Sequence, residues 1–143
     1  MRTTPRRHLL WGLAFVLGTP AVLCGLGTAY FVFVPYADDL RHRLPFDAAT
    51  WRSRSADAGH EWPTRLRMVD ALIDGRRLDG LTRQQVVDLL GPDDRTGTSK
   101  WPDWDLVYHL GPERGGMFSI DSEWLVIRLD SRGTVATYRI VRD

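Results

Sequence analysis

Apolar positions fall into three regimes along this chain: near-continuous from Leu9 to Ala37, three and four residues apart between Pro63 and Pro92, and clustered in short branched and aromatic runs from Trp104 to Val141. The best punctuated stretch is Leu78 to Pro92. Thr82 is a strong N-cap, and Gln85 sits where a capping-box side chain reaches back to it. Gly91 supplies a left-handed residue at the far end and Pro92 forbids continuation. Between the caps, Val86, Leu89 and Leu90 share one face, leaving Arg83, Gln84 and Asp88 for solvent. Upstream, Pro63 fits the first position of a helix running to about Asp74. Leu66, Val69, Leu72 and Ile73 form its buried stripe, Arg65, Arg67 and Asp70 turn outward, and Gly75 ends it.

Three strands are expected after the helices. Trp104 to Leu110 is rich in aromatic and branched residues, and Trp124 to Leu129 alternates with Leu125, Ile127 and Leu129 on one face. Thr134 to Val141 closes a hairpin through Asp130-Ser131-Arg132-Gly133. Val135 is out of phase with Tyr138 and Ile140, so either a bulge intervenes near Ala136 and Thr137 or one set faces outward. Gly111 to Gly116, followed by Met117 to Asp121, reads as a longer loop. The pattern predicts an α+β, two-layer domain of two helices packed on a three-stranded antiparallel sheet, in the order α-α-β-β-β. Phe46 and Trp51 stand in a polar neighbourhood and are expected to lie as aromatic anchors across that domain. Arg52 to Glu61 has no period and reads as a loop.

The first regime is longer than a membrane crossing requires. Leu9 to Ala37 contains no charged side chain, whereas about 20 apolar residues span a bilayer core. Trp11 marks its inner end, with Tyr30 and Tyr36 near the outer one. Arg2, Arg6 and Arg7 precede it and Asp38 and Asp39 follow, so the positive-inside rule places the N-terminus in the cytoplasm. The chain divides into a basic N-terminus (1–8), a transmembrane anchor (9–37), a tether (38–44) and an extracytoplasmic domain (45–143). A secreted protein is the alternative, because the arginines also form an n-region and Gly27-Thr28-Ala29 resembles a cleavage site. Against it, cleavage there leaves a mature protein starting on the apolar Tyr30 to Val34. Lipidation at Cys24 is disfavoured by Leu23, too large for the processing site. Cys24 is the only cysteine, so the outer domain has no disulfide and depends on its core.

Charge and chemistry narrow the function. The 19 Lys+Arg and 18 Asp+Glu nearly balance, and removing the three N-terminal arginines leaves the outer part slightly acidic, which excludes a nucleic-acid binder with a basic face. His109 with Asp103, Asp105 and His60 lacks the ligand-pair spacing of a metal site. Ser119, Ser122, His109 and Asp121 lack the Gly-x-Ser-x-Gly elbow of a hydrolase. Asp93-Asp94 matches no calcium loop, and Gly115-Gly116 leads into no phosphate-binding helix. No catalytic, cofactor or metal residues are assigned. The aromatic set Trp101, Trp104, Met117, Phe118 and Trp124 is the candidate partner-binding group, with Trp101 and Phe118 placed in loops as an exposed recognition patch. Filling a small core is the other reading of these side chains, and for Trp124 the two stand even.

Gly80-Leu81-Thr82, Gln85-Val86, Leu90-Gly91 with its nearby proline, the Leu125-x-Ile127-x-Leu129 strand and Gly133-x-Val135 together resemble the SmpA/OmlA family. That family includes the small lipoprotein component (BamE) of the bacterial outer-membrane assembly machine, and its fold is α-α-β-β-β. The chain is also similar, over Phe46 to Asp143, to small bacterial proteins of that fold carrying Met68-Val69-Asp70 and Ser122-Glu123-Trp124-Leu125. The family's lipobox cysteine is missing here, and an inner-membrane anchor takes its place. Pro92 follows its glycine directly, where the family more often has one residue between. The resemblance implies a non-enzymatic scaffold that binds an envelope protein, with the bilayer contacted through residues 9–37. The alternative role is a structural or regulatory subunit acting mainly through its membrane helix.

Overall fold

Among the described residues, a helical turn at 39–42 and three helices, α1 (Ala48–Arg52), α2 (Thr64–Asp74) and α3 (Arg83–Leu90), precede three strands, β1 (Leu106–Pro112), β2 (Ser122–Leu129) and β3 (Val135–Arg142). The computed structural model describes residues 37, 39–53, 62–95, 101–114 and 120–143. The chain divides into two units, Met1–Asp38 and Asp39–Asp143, and all six elements belong to the second. No helix among the described residues is long and apolar enough to cross a membrane. The expected span 9–37 lies outside them except for Ala37, as do Asp38, most of the expected loop 52–61, Met117 and Phe118.

Helix α3 has the caps its sequence specifies. The Thr82 hydroxyl accepts from Gln85 N, and the Gln85 side chain accepts from the Thr82 amide at 2.9 Å, a complete capping box. Gly91 ends the helix at φ 87° and ψ −179°, a region closed to residues with a Cβ. Val86 and Leu90 are fully buried and Leu89 partly so. In α2, Leu66, Met68, Val69 and Leu72 are buried. Pro63 is the N-cap of α2, one position before the expected site. The side chains expected to turn outward do not: Arg65 is buried, Arg67 donates through Nε to His42 O at 2.8 Å, and Asp70 is ion-paired with Arg43 and Arg114. The period of α2 is apolar, but its polar flank is packed as well.

Helix α1 falls in a stretch with no apolar period and ends at Arg52, where the expected loop begins. Asp47 caps it, accepting from Thr50 N at 2.8 Å. The helix presents Trp51, which has no exposed surface, to the core, with Phe46 tilted against it at 5.7 Å. Five residues do not hold a helix in water unaided, so docking the indole stabilises α1. Residues 39–44, in the stretch read as a tether, are tied in too. Leu44 N donates to Arg67 O at 2.8 Å, and Asp39 is ion-paired with Arg114.

The sheet has the order β1-β2-β3 and is antiparallel throughout. The register pairs Tyr108 with Leu125 and Leu125 with Ile140, so these side chains share the face that the helices cover. The register slips between Arg128 and Leu129, leaving Ala136 as the extra residue. That bulge sets Val135 on the same face as Tyr138 and Ile140, and all three pack on the core. A second irregularity between His109 and Gly111 brings Gly111, at φ 143°, against Pro63, where a Cβ would stand 2.7 Å from the proline ring. The Asp130 carboxylate closes the hairpin, accepting from the amides of Arg132 and Thr134.

Candidate partner-binding surface

Alternation along the strands sends the other half of the side chains to the face away from the helices. Val107 and Val126 pair there, as do His109 and Trp124, with Arg128, Arg139 and Val141 alongside. Val107 and Val126 are buried although they stand outside the helix-side cluster, so both faces of the sheet carry packed apolar surface. The His109 ring meets the Trp124 indole edge-on, centroids 4.7 Å apart.

The segment before β1 lies across this outer face. Arg128 donates through Nε and Nη2 to Asp103 O, at 3.0 and 2.7 Å. The Trp104 ring stands 5.2 Å from the Arg128 guanidinium and 5.0 Å from that of Arg139. Both are within the range in which the ring's negative face attracts a cation. Arg95 donates through Nη2 to Trp104 O, and the Asp105 carboxylate accepts from Leu129 N at 2.7 Å. Three guanidiniums and two strands therefore hold one half-buried tryptophan in place.

Of the candidate side chains, Trp104 and Trp124 belong to this face. Trp101 lies just before Trp104 and is half-buried, its backbone oxygen accepting from Trp104 N, so the expectation of a freely exposed indole there is corrected. Met117 and Phe118 lie outside the described residues. The indole N–H groups of Trp101 and Trp124 are buried and find no acceptor among the described residues. The indole N–H of the core residue Trp51 is unmet in the same way, each such donor costing about 1–3 kcal/mol.

Of the residues considered for chemistry, His60, Gly115, Gly116 and Ser119 lie outside the described residues, and several of the others are held within the fold. Asp94 is ion-paired with Arg65 at 2.6 Å and its Oδ2 also accepts from His109 N at 3.0 Å. Arg65 donates through Nε to Trp51 O and lies between the Trp51 and Tyr108 rings, at 5.5 and 5.7 Å. The Tyr108 hydroxyl donates to Gly91 O at 3.0 Å, and burial, with Asp93 adding to it, pushes that phenol well above its ordinary value. Ser122 N donates to the Asp143 carboxylate at 2.7 Å. No group of three His, Cys, Asp or Glu residues that could hold a metal gathers among the described residues. Asp79 accepts from the Tyr138 hydroxyl and from Arg76, and the two hydrogen bonds lower its carboxyl below the usual range.

Arg114 gathers a second cluster, unforeseen in the sequence because two of its acids, Asp39 and Asp70, come from far along the chain. Its guanidinium reaches Asp39 at 3.2 Å, Asp70 at 2.7 Å and the fully buried Glu123 at 2.9 Å. Burial works against the cation, but the Glu123 and Asp70 carboxylates outweigh it and hold the pKa above the ordinary arginine value. Arg43 and Arg142 complete the neutralisation at Asp70 and Glu123. No family model matches this chain, and neither a curated protein nor a solved structure matches it.

Proposed function

We propose that this chain is a non-enzymatic, membrane-anchored extracytoplasmic domain that binds a protein partner in the bacterial cell envelope through the outer face of its sheet. The observation that carries the reading is Trp104, stacked by Arg128 and Arg139 on the face away from the helices, with Trp124 on the same face. Tryptophan and arginine are the residues most enriched where protein interfaces concentrate their energy, and a pre-ordered side chain loses less entropy on binding. The anchor rests on the uncharged run Leu9 to Ala37 and on the arginines before it. The resemblance to the SmpA/OmlA family supports a scaffold role.

A regulatory subunit working through the membrane helix is the alternative, favoured by the same uncharged run. Photoactivatable side chains at Trp101 and Trp104 in intact cells separate the two. The expected result is one protein adduct of defined mass, retained when Leu9–Ala37 is replaced by an unrelated span of equal length. Labelling of lipid and bulk protein alone overturns the reading. Loss of the adduct with the exchanged span transfers the function to the helix.

A further inference from the structure

The two edges of the sheet are finished differently. Asp143 N donates to Ser122 O at 3.3 Å, which sets the bonded phase of the β2–β3 ladder at Trp124/Val141, Val126/Arg139 and Arg128/Thr137. The alternate residues of β3, namely Tyr138, Ile140 and Arg142, therefore turn their N–H and C=O groups away from β2. β1 obeys the same count on the other side, where Val107 and His109 turn outward. Of their groups, the His109 N–H and the Val107 C=O meet a partner in Asp94, through its carboxylate at 3.0 Å and its amide at 2.8 Å. At the start of β3, Val135 N donates to Leu81 O at 2.8 Å. Beyond that point no partner among the described residues takes the outward groups of Tyr138, Ile140 and Arg142.

An open edge is a template for another strand, and the charges beside it select which. β3 carries Arg139 and Arg142 and no acidic residue. Arg142 is neutralised by Glu113 and Glu123 within the fold. Arg139 has no ion pair among the described residues; its guanidinium rests on the Trp104 ring and its N–H fork is unused. Two copies of β3 laid edge to edge would bring arginines together with no added carboxylate, and like charges across a strand pair oppose it. An extended segment with Asp or Glu on the outer face beside Arg139 supplies the missing acid, in the bidentate geometry a guanidinium favours.

We propose that the β3 edge is the seat of an acidic, extended segment of the partner protein, added as a fourth strand with a carboxylate on Arg139. The proposal rests on the partner-binding reading above and names the chemistry of the partner. Amide hydrogen exchange on the full chain in detergent micelles tests it, with a short peptide alternating glutamate with valine and threonine as the probe. At nine-tenths occupancy the amides of Tyr138, Ile140 and Arg142 are expected to exchange about tenfold more slowly, since only the unoccupied fraction exchanges. The same peptide with lysine for glutamate gives no protection, and Arg139→Glu removes the effect while Leu125 and Ile127 keep their own protection. Unchanged exchange, or equal protection by the lysine peptide, overturns the proposal. So does protection that appears without peptide as the mass doubles, which assigns the edge to a second copy. Binding to anionic phosphatidylglycerol vesicles with no peptide-dependent protection assigns Arg139 to a membrane and likewise overturns it. Failure here with the Trp104 adduct intact removes the fourth strand and leaves the partner-binding reading standing.

Discussion

Arg65 is the side chain on which the packing of the helices against β1 turns. It is 4% exposed, and it joins α1 through Trp51 O, the segment after α3 through Asp94, and β1 through the Tyr108 ring. Removing one partner of a buried pair leaves the other charge uncompensated, which costs about 3–5 kcal/mol. Arg65→Ala is expected to lower the unfolding free energy measured in urea by an amount in that range, and Arg65→Ala with Asp94→Ala to lower it by clearly less than the two single losses combined. Additive losses would show that the two residues act independently. The α2 period could not place this residue. Arg65 sits on the flank of the Leu66, Val69 and Leu72 stripe, and its polarity argues for solvent until Asp94, 29 residues away, comes within reach. The same holds for Arg114, whose acids Asp70 and Asp39 lie 44 and 75 residues earlier.

At the scale of elements, what the sequence disclosed is what neighbouring residues decide among themselves. The α3 capping box, the α2 stop at Gly75 and the Asp130 hairpin each follow from residues a few positions apart, while the Ala136 bulge was one of two readings that strand register decides. Helix α1 escaped because five residues carry no period, and its stability comes from where Trp51 docks. Gly91 offers a clean test of local control. Its backbone sits where a Cβ is strained, while the nearest atom to an added Cβ, Arg52 Cγ, is 3.5 Å away and in ordinary contact. Gly91→Ala is therefore expected to cost about 1–3 kcal/mol of conformational strain, read as a lower urea midpoint with an unchanged slope. A variant as stable as the parent would mean that Gly91 is not held at that dihedral.

At the scale of the whole molecule, the unit Asp39–Asp143 is closed by residues its apolar pattern does not show. Trp51 is fully buried, and Asp39, Arg43 and Leu44 bind Arg114, Asp70 and Arg67. A fragment starting at Asp39 is expected to unfold cooperatively, while one starting at Thr64 loses the indole, worth about 3–5 kcal/mol for a buried tryptophan. A small domain has only about 5 kcal/mol or little more in hand, so the shorter fragment should be partly unfolded before any urea is added. Equal midpoints would make residues 39–63 a stalk.

The candidate surface was legible as a composition, six tryptophans with three of them around the strands, but not as a place. Only strand register puts Trp124 opposite His109, and only the packing of the segment before β1 sets Trp104 against Arg128 and Arg139. Partner binding through that face is the central claim, and a scan of photoactivatable side chains around the folded unit in intact cells tests it most directly. Probes at Trp104 and Arg139 on the outer face are expected to yield the same single adduct, and probes at Asp74 and Gln84 on the exposed helix surface none. Equal adducts from the helix positions, or none from Trp104 and Arg139, would contradict it.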